Sequence, residues 1–206
     1  MSSGRSDGRK NMTTFVDLAP AADRVTGLLV AIPDDGLGAP TPCSEVTVGD
    51  LLSHLLGLSA AFRGGAKKAP DAGPPPTSGP PPLQPDWRTA LPACLDALVA
   101  AWRAPAARAG TTSVGGVEMP GAAAAVVALD ELVLHGWDLA RATGQPYEAD
   151  SASVDACLRF VAATARPEGV PGLFGPPVPV PEDAPALHRL LGLSGRNPEW
   201  SPPKVL

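Results

Sequence analysis

The chain has 206 residues, 44% of them hydrophobic, and a formal net charge of −5, which is the length of one ordinary domain with enough apolar material for a core. The acidic balance, with no stripe of Lys and Arg interleaved with aromatics, argues against nucleic acid or an anionic membrane surface as partner. The longest apolar stretch, 122–134, is interrupted by Asp130 and Glu131 and falls short of the ~20 residues that span a bilayer. Aromatics make up only 4%, so Ala, Leu and Val must fill the core, which favours close-packed helices. Cys43, Cys94 and Cys157 are an odd number at wide spacing without a C-x-x-C pair. That pattern predicts reduced thiols in a cytoplasmic protein and speaks against a cysteine-based structural zinc site.

In chain order, residues 1–11 read as a disordered leader without the apolar stretch of a secretory signal, followed by a single domain over 12–206. Leu18, Val25, Leu28, Leu29 and Ile32 form a helical stripe, so a helix is predicted over 16–32, stopped by Pro33. Thr47, with Asp50 three residues on, has the form of a capping box and starts a helix over 48–63 that Gly64 and Gly65 should end. Residues 66–85 hold eight prolines and predict a long extended loop. Asp86 is placed to cap a helix over 87–103, in which Pro92 should produce a kink or a restart. Residues 110–119 alternate weakly around Gly115 and Gly116, consistent with a small hairpin or an irregular crossover. A helix over 120–143 begins with Pro120 in its first turn and closes at Gly144. Another is expected over 151–165, capped by Ser151 or Ser153. From 166 to 206 the chain reads as a proline-rich irregular strap carrying one short helix, 185–193. The predicted class is all-α, and a helical bundle is the simplest architecture.

Two of the three histidines fall in the middle of the strongest helices. His54 lies three residues after Leu51 and four before Leu58, on the inward stripe. Glu131 and His135 share the stripe of Ala124, Ala128, Leu139 and Ala142, where a carboxylate needs a positive partner. Cβ atoms at i and i+4 are about 5–6 Å apart, so one metal ion is within reach of both, with His54 as a third ligand from a facing helix. Two His and one carboxylate with an open position is the ligand count of a catalytic zinc site, and the set also suits iron(II) or nickel. The plainer alternatives are a core histidine satisfied by a backbone carbonyl and an exposed Glu–His pair that stabilises its helix. Asp138 is placed to orient a ligand imidazole or, as a surface pair, to meet Arg141. Trp137 lines a pocket or simply packs. His188, beside Arg189, reads as a solvated helix-end residue, and the cysteines lack an activating pattern. No nucleophile elbow, P-loop or dinucleotide-binding fingerprint is present.

The stretches DLLSHLLG, LDELVLHGWDLARATG and PVPVPEDAPALHRLLGLSGRNPEW together resemble actinobacterial DinB-like metal-binding proteins, relatives of the N-terminal domain of mycothiol-dependent maleylpyruvate isomerase. The resemblance covers residues 14–200. It implies a four-helix DinB bundle with a divalent metal, usually zinc, on His54, Glu131 and His135. It further implies mycothiol as cofactor or transferred group, with a small electrophile as second substrate. The isomerase's separate C-terminal domain has no counterpart, the strap standing in its place, so maleylpyruvate is not carried over as substrate. The expected activity is therefore a mycothiol-dependent thiol transferase or isomerase. A metal-dependent hydrolase, a non-catalytic protein that binds or sequesters a small molecule, and a structural protein without metal stand as alternatives. Both a monomer and a homodimer are compatible with such a bundle.

Overall fold

The computed structural model describes residues 16–74 and 79–203; the expected leader over 1–11 lies outside the described residues. Seven α-helices occur among them: α1 (Ala19–Leu29), α2 (Val48–Ala66), α3 (Trp87–Arg103), α4 (Pro105–Arg108), α5 (Gly121–Ala142), α6 (Ser151–Thr164) and α7 (Ala186–Leu193). Between α4 and α5 runs an antiparallel hairpin, β1 (Thr111–Val114) and β2 (Val117–Pro120), with Thr111 opposite Pro120 and Val114 opposite Val117. The chain is thus mostly helical with a small two-stranded sheet, a correction to the all-α expectation. Gly115 and Gly116 both have positive φ, which is what a two-residue hairpin turn demands.

Helices α1, α2, α3 and α5 close a ring: α2 packs on α3 and α5, and α1 packs on the same two. The ring is filled mainly by aliphatic side chains, among them Leu51, Leu52, Leu55, Leu91, Leu95, Leu98, Leu129 and Leu132, all 1% exposed or less. Each such leucine contributes roughly 1.5–3 kcal/mol of burial. Outside the ring, α6 packs on α5 and α7 on α6. No helix among the described residues is long and apolar enough to cross a membrane.

Local chemistry sets some of the helix ends. Thr47 Oγ1 accepts from Asp50 N at 3.2 Å while Asp50 Oδ2 accepts from Thr47 N at 3.1 Å, completing the predicted capping box at α2. The other end of α2 runs past the expected stop, to Ala66, and Gly65 there serves packing. A Cβ on Gly65 would lie 2.6 Å from Val114 Cγ2, and Thr112 Oγ1 donates to the Gly65 carbonyl at 2.6 Å. The glycine lets the hairpin seat on the helix. Helix α1 is shorter than its apolar stripe at both ends: Pro20 sits in its first turn, and past Leu29 the chain turns before Pro33. Pro92 is accommodated inside an unbroken α3, near its start. At α3 the Asp86 side chain makes no capping bond. At α6 the cap is Asp150, whose Oδ1 accepts from Ser153 N at 2.9 Å, rather than Ser151 or Ser153 themselves.

The proline-rich loop is tied down on both of its limbs. Asp71 Oδ2 accepts from Ser113 Oγ at 2.6 Å and from Gly116 N at 2.7 Å, fastening the outgoing limb to the hairpin. Ser53 Oγ donates to the Pro81 carbonyl at 2.6 Å, fastening the returning limb to α2 one residue before His54. The C-terminal strap folds back on α6 and α7, with Phe174 against Phe160 and Val178 N donating to the Gly192 carbonyl at 2.8 Å.

Candidate metal centre

Where α2 packs on α5, three side chains converge. Glu131 and His135 sit one turn apart on α5, and His54 faces them from α2. Glu131 Oε2 lies 3.1 Å from His135 Nε2 and 3.4 Å from His54 Nε2, and the two imidazole rings stand edge to face with centroids 4.9 Å apart. A tetrahedral zinc ion with bonds near 2.0–2.1 Å separates its donor atoms by about 3.3 Å. Both oxygen-to-nitrogen distances are therefore close to the spacing such an ion requires, and the three donor atoms lie within 4.8 Å of one another. His54 side-chain exposure is 45%, against 19% for Glu131 and 15% for His135. His54 is thus a rim residue, where an inward position was expected: it faces a cavity instead of the leucine core.

That cavity has a volume of about 510 Å³ and is walled by α2, α5, the 42–46 segment, Pro80 of the proline-rich loop and the C-terminal strap. Cys43, Ser44, Asp50, Ser194 and Arg196 contribute its remaining polar side chains. Open space beside the three donors is the feature of a site that can take a further ligand.

The other nitrogen of His135 is held from behind. Asp138 Oδ2 accepts from His135 Nδ1 at 3.0 Å, and Arg196 donates to the same carboxylate through Nε at 2.9 and 3.1 Å and Nη2 at 2.8 Å. The Cys43 thiol donates to Asp138 Oδ2 at 3.1 Å and accepts from Arg196 Nη2 at 3.6 Å. Asp138 is fully buried and meets Arg196, not Arg141, which instead donates to the Trp200 carbonyl. The surface pair expected from sequence is thereby replaced by a buried one, and the orienting role is the one the geometry supports. Cys43, His135 and Asp138 also have donor atoms within 4.8 Å of one another, but the Arg196 guanidinium already occupies the cationic position beside them.

The electrostatics follow from these contacts. Burial would raise the Glu131 carboxyl, but hydrogen bonds from His135 and His54 outweigh it and hold the group well below the usual carboxylate range. Asp138 is likewise held low against burial, chiefly by the Arg196 charge. Burial opposes a charged His135, yet hydrogen bonding to Asp138, then to Cys43 and Glu131, raises its pKa. Both carboxylates thus favour positive charge at this imidazole. Asp130, buried behind the site beside Cys157, is pushed up to about 8 by burial and then by the Glu131 charge.

The remaining expected residues lie elsewhere. Trp137 is 4% exposed and belongs to the core, not to the cavity wall. Cys157 is buried on α6, Cys94 is half-buried on α3, and His188 is half-buried on α7. Two site residues escaped the sequence reading. Cys43 gave no signal, since its partners are 95 and 153 residues away. Arg196 likewise gave no signal, since its partner Asp138 is 58 residues away.

Comparison with known proteins gives the chain relatives. Residues 18–140 match the family described as the mycothiol maleylpyruvate isomerase N-terminal domain. Two uncharacterized proteins from two strains of Mycobacterium tuberculosis are each 30% identical over 190 residues, covering 86% of this chain and 94% of the relative. No solved structure matches. The family match includes His54, Glu131, His135 and Asp138 and stops short of Arg196.

Proposed function

The chain belongs to the mycothiol maleylpyruvate isomerase N-terminal domain family, and from that premise we propose that it is a divalent-metal protein, zinc fitting best, that presents a mycothiol-type thiol to a small electrophile for transfer or isomerisation. The observation that carries this reading is the Nε2–Oε2–Nε2 spacing of His54, Glu131 and His135 beside an open cavity. When bound, the ion supplies Lewis acidity that favours thiolate over thiol near neutral pH. The protein's own residues provide the frame. Asp138 fixes the His135 ring and directs Nε2 at the cavity, Arg196 fixes Asp138, and Glu131 supplies the anionic donor. On this reading the ring of α1, α2, α3 and α5 is the four-helix bundle of the family. Three free cysteines suit a reducing, cytoplasmic setting for a thiol-using protein.

The test is elemental analysis of protein purified without a metal-affinity column, for the wild type and for His54→Ala and His135→Ala. A stoichiometric ion in the wild type, lost in both variants while circular dichroism is unchanged, is the expected result. No ion in the wild type after reconstitution with zinc, iron(II) or nickel overturns the metal reading. With the metal in place, thiol-dependent conversion of an electrophile separates transfer from hydrolysis, which proceeds without thiol.

A further inference from the structure

The charges around the cavity say which electrophiles fit, an inference that rests on the thiol reading above and narrows its second substrate. Among the described residues, Arg196 is the single Lys or Arg side chain in the cavity wall. It is 8% exposed, and its guanidinium is spent on Asp138 through Nε and Nη2, with Nη1 directed at the Ser194 carbonyl and hydroxyl. Among the described residues, no Lys or Arg of the wall is left free to meet an anionic ligand. Asp50 and Glu131 add two carboxylates to the same wall, and the rest of it is largely apolar, with Val46, Leu51, Pro80 and Leu173. A divalent ion at the triad together with Arg196 would balance Asp50, Glu131 and Asp138 and leave no surplus positive charge. A dianion entering this space would give up its hydration without a compensating partner and face the carboxylates at short range, where both effects are large.

We infer that the site accepts an uncharged electrophile and rejects small dicarboxylates, the substrate class in the family's own name.

The experiment compares a dicarboxylate with its uncharged dimethyl ester, using the full chain reconstituted with zinc. In the binding arm, dimethyl succinate and succinate, neither of them electrophilic, are titrated by calorimetry. In the turnover arm, dimethyl maleate and maleate are offered with mycothiol. There the sulfur adds to one alkene carbon, the π pair moves to the neighbouring carbon, and that carbon takes the proton released by the thiol. The diesters should be favoured by at least about tenfold in affinity and in kcat/KM. The Leu173→Arg variant, which puts an unpaired cation on the wall, should gain succinate binding.

Succinate binding the unaltered protein as tightly as its diester overturns the inference and leaves the thiol reading intact. Diester binding without thiol-dependent turnover of either maleate supports the charge preference and overturns the thiol reading. Failure of both succinates to bind overturns the inference, whatever the turnover arm shows.

Discussion

Two clusters meet at the His135 imidazole, one on each ring nitrogen, and each brings three potential metal donors within 4.8 Å of one another. On the Nε2 side, Glu131 and His54 border open space. On the Nδ1 side, Asp138 and Cys43 are already served by the Arg196 guanidinium. The difference teaches that donor count alone does not make a metal site. What matters is whether the positive charge that the carboxylates require is already built into the fold. On the proposed metal reading the closed cluster is support for the open one, since a metal-binding histidine is oriented by what its other nitrogen holds.

The sharpest way to break this contrast is to remove the built-in cation. Arg196→Met leaves Asp138 buried without its counter-charge, which should destabilise the fold by about 3–5 kcal/mol. Chemical denaturation measures that loss, and a double variant with Asp138→Asn should recover much of it. An Arg196→Met protein as stable as wild type would mean that the closed cluster is not charge-balanced by Arg196. Next in size, Asp138→Asn alone keeps the shape but weakens the hold on His135. Zinc affinity should fall about 10–100-fold, read by chelator competition, with the triad itself untouched. An unchanged affinity would uncouple the two clusters.

The smallest effect tests the end of the helix that carries His54. Thr47→Ala removes the α2 capping box and should cost about 1 kcal/mol. Its pH dependence has a definite sign. Hydrogen bonds from Thr47, side chain first and then backbone, lower the Asp50 pKa from its ordinary value of 3.8. The stabilisation is therefore complete above that value and fades as the pH falls through the lower, folded-state pKa. The stability gap between wild type and Thr47→Ala should narrow on acidification below about pH 4. A gap that widens there would show that the capping carboxylate is not the group responsible.

Much of this molecule is legible from local pattern. The capping box at Thr47 and Asp50, the α2, α3 and α5 helices, and the shared face of Glu131 and His135 all follow from helical geometry over a few residues, which holds wherever the helix finally lies. Local pattern misleads where a residue is placed for something distant. Gly64 and Gly65 read as a stop, yet the helix runs on to Ala66 and Gly65 is a seat for the hairpin at Thr112 and Val114. Asp138 has Arg141 three residues away and pairs with Arg196, 58 residues on, because its face of α5 turns to the core and the strap rather than to water.

Sequence by itself determined that the chain is mainly helical and that His54, Glu131 and His135 were the residues to watch, because periodicity and side-chain chemistry are local properties. Tertiary structure alone decided that His54 stands at a rim, that Cys43 and Arg196 enclose the far side of His135, and that among the described residues the cavity wall holds no unpaired Lys or Arg. Those facts depend on segments brought together by packing across long loops, and no spacing along the chain encodes them.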